Sequence, residues 1–208
     1  MKNFLYRSFL YLLRKILPIL GEFLTWQNRQ FSAPSPHFIK QIVLLRNSLP
    51  NSVWIETGTH YGLTTCILAK NSKFVYTIEP QEYLFSCAKK RLKKYKNVEI
   101  INSTSEISLP KILPQINGNV CFWLDGHYSA GITFKGFQDT PIVDELNTIA
   151  LNFFHFEKVV ILVDDVRCFN PKSVEYSTYP PLSFLVNWAN DNNLTWYIEH
   201  DIFVAKNF

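Results

Sequence analysis

From about residue 51 onward the chain repeats one pattern: a short apolar run, a helix-like stretch, then another apolar run. Runs of four to six residues are short for helices, and they lack the alternation of strands with one wet face. They read instead as strands buried on both sides. Parallel strands need crossover connections, and intervening helices supply them. The runs are SVWIET, FVYTIE, VEIIN, VCFWLD and KVVILVDD. Between them lie LTTCILAKN, QEYLFSCAKKRLKKY, a short helix near SLPKIL, and PIVDELNTIALNF; PLSFLVNWAND follows the fifth run. LTWYIEH and IFVAK close the chain so near each other that they predict an antiparallel hairpin at one edge. The expected fold is therefore α/β and Rossmann-like: five parallel strands plus a C-terminal β-hairpin, with helices on both faces.

Two segments precede this domain, which spans residues 51–208. Residues 31–50 comprise a linker, FSAPSP, and a leading helix, HFIKQIVLLRNSL, with Ser35 and Pro36 as its N-cap and first turn. Residues 1–30 carry Lys2, Arg7, Arg14, Lys15 and Arg29 against Glu22 alone, a charge of +4. That equals the whole chain's net charge, so the rest balances with 16 basic and 16 acidic residues (21 − 5 and 17 − 1). A nucleic-acid binder carries its basic excess on the folded domain, and this distribution excludes that class. On a helical wheel Leu5, Phe9, Leu12, Leu13, Ile16 and Leu20 share one face, with the polar and basic residues opposite. Arg14 and Lys15 break any run long enough to span a bilayer. Residues 1–20 therefore suit a membrane surface, and equally the protein's own domain or a second subunit in a homodimer. Four widely spaced cysteines in apolar patterns read as reduced core thiols of a cytoplasmic protein, which on the membrane-surface alternative would sit at the inner face of the membrane.

In open α/β sheets ligands bind beyond the carboxyl ends of the strands. Four of the five runs stop in acids, at Glu56, Glu79, Asp125 and Asp164–Asp165, and the third stops at Asn102, Ser103 and Thr104. In ETGTHYGLT, Gly58 and Gly62 open a strand-to-helix turn whose backbone can approach a ligand, with helix N–H groups behind it. Glu79 follows Gly58 by 21 residues, where an acid would accept hydrogen bonds from ribose hydroxyls. Together these features predict a nucleoside-cofactor site.

The string E-x-G-x-x-x-G-x-T, the acid ending the second strand, D-G-H-Y after the fourth and D-D after the fifth resemble class I S-adenosylmethionine-dependent methyltransferases. The nearest patterns are the metal-dependent O-methyltransferases of caffeoyl-CoA, catechol and macrocin type. FWLDGHYSAGITFKGFQDTP and VILVDDVRCF also resemble bacterial methyltransferases of polysaccharide gene clusters. The resemblance spans about residues 50–205. It implies that Glu56 and Gly58 border the cofactor's methionine moiety, with Gly62 and Thr64 opening the next helix. It further implies that Glu79 holds the ribose, that Ser103 and Thr104 flank the adenine, and that Asp125 lies near the methyl-transfer centre. The acceptor it implies is a hydroxyl of a sugar or glycolipid.

Asp125, Asp164 and Asp165 are hard oxygen donors on adjacent strand tips, a set suited to Mg²⁺ or another divalent ion. The plainer alternative has Asp164 capping a loop and Asp165 paired with Arg167 or solvent. Catechol-type enzymes carry a lysine soon after the fourth-strand aspartate, and DGHYS has none. His127 and Asp125 are the catalytic candidates, His127 as general base because its ordinary pKa lies near neutrality. Tyr176 and Tyr179, in a tyrosine-rich loop on the same edge, are candidate acceptor contacts. The run KKRLKKYK reads as solvated surface, and Trp54, Trp123, Trp188 and Trp196 as core. Two other functions share this pattern: an NAD-dependent dehydrogenase, disfavoured by the lack of G-x-G-x-x-G, and a non-catalytic membrane-associated scaffold that keeps the pocket.

Overall fold

Seven strands form one sheet: β1 (Val53–Thr57), β2 (Phe74–Ile78), β3 (Val98–Ile101), β4 (Gly118–Leu124), β5 (Phe156–Val163), β6 (Thr195–Glu199) and β7 (Ile202–Lys206). They belong to a computed structural model that describes residues 17–126, 140–174 and 176–208. The helices among those residues are α1 (residues 17–28), α2 (His37–Arg46), α3 (Leu63–Asn71), α4 (Glu82–Leu92), α5 (Ser105–Ile112), α6 (Ile142–Ala150) and α7 (Leu182–Asp191).

The strand order is β3-β2-β1-β4-β5-β7-β6. The first five strands are mutually parallel. The second hairpin strand, β7, enters antiparallel against β5 and leaves β6 at the edge. The expected fold is the observed one. After β3 the chain recrosses to β4, so the winding direction reverses between β1 and β4, the switch point where α/β sheets open a ligand crevice.

The period-two alternation of strand side chains divides the core between two faces. Ile55, Phe122, Leu124, Ile161 and Val163 pack with Leu109 of α5, Leu146 and Ile149 of α6 and Leu185 of α7. Trp54, Cys121, Trp123 and Leu162 pack on the opposite face with Val43 and Leu44 of α2 and Leu68 of α3. Trp188 is buried as expected. Trp196 is not: it lies on the edge strand, 38% exposed, stacked on Phe203 with its indole N–H donating to Asn190. An edge strand has a covering neighbour on one side only, so half of an otherwise core-like pattern stays wet.

The lysine-rich end of α4 is solvated as expected, with Lys89, Lys90 and Arg91 exposed in the last turn and favourable to the helix dipole. Ser35 does not cap α2. Its hydroxyl donates to the His200 carbonyl (3.0 Å), and Pro36 occupies the N-cap, so the helix begins at His37. That bond and the Trp26 ring against His200 seat the leading segment on the sheet's hairpin edge. No helix among the described residues is long and apolar enough to cross a membrane.

Gly58 and Gly118 share a left-handed backbone, with φ +81° and +87°. A Cβ on Gly118 would meet nothing within 4 Å, whereas one on Gly58 would lie 2.3 Å from the Asp125 carbonyl oxygen. Gly118→Ala should cost about 1 kcal/mol for the conformation alone. Gly58→Ala should cost about 3 to 5 kcal/mol, because β1 and β4 must also move apart. Urea denaturation of the two variants checks this, and equal losses would contradict it.

Candidate active site

The site is built where β1, β2, β4 and β5 end. Gly58 and Thr59 both send their N–H groups to the Ile78 carbonyl (3.1 and 3.2 Å), folding the glycine turn over the end of β2. Gly62 then turns left-handed (φ +74°) as the N-cap of α3. Its missing side chain leaves room for Leu92 and Ala88 of α4. Thr64, half-buried, lies in the first turn of α3, where the N–H groups have no intrahelical acceptor.

Glu79 follows β2 and is held from both sides. Its Oε2 accepts from the His60 N–H (2.7 Å) and its Oε1 from the Gln81 N–H (3.0 Å). Burial raises its pKa while those two donors oppose the rise. His60 reaches this bond in the left-handed region, at φ +52°. The β3 tip is tied in by Asn102, whose amide donates to the Glu79 carbonyl (2.9 Å). Ser103 and Thr104, both half-buried, follow it, and Thr104 stands at the N-cap of α5. The carried-over cofactor residues of β2 and β3 thus stand side by side on one edge.

Glu56 lies deeper than the sequence suggests. It is buried beneath the turn, its Oε2 accepting from the hydroxyls of Thr65 (2.5 Å) and Thr77 (2.7 Å), with Thr59 bonded to Thr77 in turn. Burial pushes its carboxyl up to about 7 against those two hydroxyls.

At the other end of the site, carboxylate oxygens of Asp125, Asp164 and Asp165 lie within 4.8 Å of one another, the cluster expected from the strand tips. Asp165 is left-handed (φ 56°), a conformation aspartate tolerates better than most side chains. The plainer expectation is met as well: Asp164 Oδ1 accepts the Asp165 N–H (2.8 Å), and Asp165 Oδ1 accepts from Arg167 (2.6 Å). A residue from outside the cluster completes it. Lys40 of α2 places its ammonium 2.5 Å from Asp164 Oδ2 and 3.0 Å from Asp165 Oδ1. Burial alone would lower the Lys40 pKa, but the Asp164, Asp165 and Asp125 charges outweigh it and raise it. Burial, Asp125 and Asp165 push the Asp164 carboxyl well up, and the Lys40 ammonium opposes the rise without cancelling it. The donor type suits a hard divalent ion, yet such an ion would contest two oxygens that already hold an ammonium.

One helical turn before Lys40, the His37 Nε2 is buried with no hydrogen-bond partner among the described residues. Burial lowers its pKa, so the ring is neutral near pH 7. His127 lies outside the described residues.

Beside Asp125 a small cleft of about 10 Å³, room for about one water, opens between α6 and the ends of β4 and β5. Asp125, Thr140, Glu145, Asp164, Phe169 and Tyr179 line it. Tyr179 stands there as the sequence suggests, its hydroxyl buried beside Thr140; Tyr176 packs behind it at 5.7 Å. Glu145 belongs to the buried stripe of α6 with Ile142, Leu146 and Ile149. Its Oε1 and the Thr57 hydroxyl both lie against Gly126. Burial pushes Glu145 up to about 7, against the nearby Ser105 and Thr57 hydroxyls.

Sequence reasoning missed Lys40, His37 and Glu145. Glu145 left a signal, an acid at a stripe position where the helical period calls for an apolar residue. Lys40 left none, because its partners lie 124 and 125 residues away.

No family model matches the chain. Among curated proteins it is 32% identical over 81 residues to protein-L-isoaspartate O-methyltransferase 2 of Nitrosococcus oceani, a match over 38% of this chain and 37% of that one. The match thus spans little more than a third of that relative's length. Among solved structures the chain resembles a Streptococcus mutans protein in complex with SAH, with TM-score 0.51, 16% identity, and 84% and 98% of the two chains covered. It also resembles the N-methyltransferase NodS of Bradyrhizobium japonicum (TM-score 0.52, 12% identity, 81% and 91%). A SAM-dependent methyltransferase of Aquifex aeolicus gives TM-score 0.50 and 16% identity, with 80% and 87% covered. The fold is that of class I S-adenosylmethionine-dependent methyltransferases, a seven-stranded sheet with an antiparallel C-terminal hairpin.

Because Glu145 is held near 7 when folded and 4.5 is its ordinary value, the native state binds the extra proton between those limits. That contribution to stability is full below about pH 4.5 and is lost as pH rises through 7, with a slope of at most about 1.4 kcal/mol per pH unit. Glu145→Gln should therefore gain stability relative to the unsubstituted protein as pH rises from 5 to 8. Urea titrations across that range measure the difference, and a pH-independent difference would refute the assignment.

Proposed function

We propose that the protein is an S-adenosylmethionine-dependent O-methyltransferase acting on a hydroxyl of a sugar or glycolipid in cell-surface polysaccharide biosynthesis. The observation that carries the reading is the meeting of Gly58 with the backbone of Asp125, which joins a cofactor-type turn to an acid-lined cleft. On the cofactor side, Glu79 retains a lone pair on each oxygen for ribose hydroxyls, and Ser103 and Thr104 flank the base. S-adenosylmethionine supplies the electrophilic methyl group when bound; Glu56 contributes by holding the turn from below.

On the acceptor side, hydroxyl donors suit a cleft lined by the carboxyl groups of Asp125, Glu145 and Asp164. Asp125 would accept the hydroxyl's proton in a hydrogen bond and aim its oxygen at the methyl carbon, since methyl transfer depends chiefly on in-line placement. As the C–O bond forms and the C–S bond breaks, the proton passes to Asp125 or His127.

The described part of α1 leaves Leu17, Ile19, Leu20, Phe23 and Leu24 exposed. With the basic residues of the N-terminal sequence they support peripheral contact with an anionic membrane at its cytoplasmic face, through residues 1–20. The full chain should sediment with phosphatidylglycerol vesicles, and a variant lacking residues 1–20 should stay in the supernatant. Equal sedimentation of both would remove the membrane reading.

Isothermal titration calorimetry tests the cofactor. S-adenosylhomocysteine should bind and NAD should give no heat, while Glu79→Ala should weaken binding at least tenfold, about 1.4 kcal/mol. Heat with NAD alone would turn the reading to a dehydrogenase. Asp125→Ala should retain S-adenosylhomocysteine binding within a few-fold and lose methyl transfer to cell-envelope glycans.

A further inference from the structure

Three aspartates on two adjacent strand tips need a positive charge. Their oxygens converge within 4.8 Å, and the Asp164 side chain is 2% exposed, so water screens it poorly. Arg167 reaches the cluster from the outer side through Asp165 Oδ1, and it also pairs with Asp201. Lys40 reaches it through both Asp164 and Asp165 and keeps only 16% of its side chain exposed. Its backbone position is fixed independently. Val43 and Leu44, three and four residues on, are buried against the sheet, and Ser35 anchors the segment to the His200 carbonyl.

We propose that the Lys40 ammonium is the resident cation of this site, standing where a divalent metal would stand and making the protein metal-independent. A divalent ion takes carboxylate oxygens at about 2.0 to 2.6 Å. Asp164 Oδ2 already has the ammonium at 2.5 Å, and its other oxygen receives the Asp165 N–H. A metal bridging these tips would have to share Asp164 Oδ2 with a like charge or expel Lys40 from a buried pair. An ammonium also differs in what it does. It offers N–H donors and no open coordination positions, so it pins Asp164 and Asp165 beside Asp125 without chelating two acceptor oxygens. An acceptor held by Asp125 then needs one hydroxyl, not a vicinal pair. That consequence for the acceptor rests on the methyltransferase reading; the identity of the cation does not.

The test uses the full chain and Mn²⁺ alone, followed by electron paramagnetic resonance. The unsubstituted protein should show no saturable site up to millimolar metal. Lys40→Met keeps the stem and removes the charge, so it should gain one site at least tenfold tighter, and adding Asp125→Asn should abolish it. A stoichiometric site in the unsubstituted protein, or a folded Lys40→Met that gains none, overturns the proposal. Should Lys40→Met not fold, ¹⁵N NMR of the Lys40 ammonium in the unsubstituted protein decides. A protected signal that Mn²⁺ leaves unchanged supports the proposal, and selective loss of that signal at one equivalent overturns it. Because no cofactor is present, failure of S-adenosylhomocysteine to bind would sink the preceding reading and leave this result standing.

Discussion

The rest of the site depends on the close passage of the Gly58 backbone past the carbonyl of Asp125. The sheet reverses direction between β1 and β4, so the two strands that meet there lead into opposite halves of the fold. A side chain at Gly58 would hold them apart, since its Cβ would fall 2.3 Å from the Asp125 oxygen. With glycine there, the turn that leads to Glu79 and the carboxylate that borders the cleft lie side by side. Gly126 repeats the arrangement from the β4 side, packed against Thr57 and Glu145. Glycine at these positions serves the strand-to-strand approach first, and any bound cofactor benefits from it.

Around that contact the protein buries acids in two ways. Glu56 and Glu145 are enclosed, and burial outweighs the hydroxyls around them and pushes each carboxyl up to about 7. Asp164 and Asp165 instead lie against cations, Lys40 at both and Arg167 at Asp165. Buried charge persists where a partner compensates desolvation, and otherwise the group takes up a proton. Two chemically distinct acid environments therefore flank Asp125.

The fold was legible because its signal is periodic and local. Short apolar runs separated by helices leave few topologies once parallel crossovers must be right-handed. The row of strand-end acids was legible for the same reason, since a strand's last residue lies at the sheet edge whatever surrounds it. Contacts between distant segments were not legible. Lys40 belongs to a helix read only as a lead-in, and nothing in HFIKQIVLLRN announces carboxylates 124 residues on. Glu56 was placed correctly along its strand but not in depth, because the hydroxyls that enclose it come from α3 and β2. Trp196 shows the converse, a core-like pattern on a strand with one covered side. The resemblance to metal-dependent enzymes rests on strand-end strings, D-G-H-Y and D-D among them, and those strings are silent about the lysine that the fold delivers to the aspartates.

The central claim is that the tips of β1, β2 and β3 hold the cofactor, leaving the cleft at β4 and β5 to the acceptor. Hydrogen–deuterium exchange with saturating S-adenosylhomocysteine tests it directly. The account predicts slowed exchange in peptides covering residues 58–65, 79–84 and 102–106, and little change in residues 142–150 and 176–182. Protection concentrated in the latter two segments, or absent from all five, would contradict it.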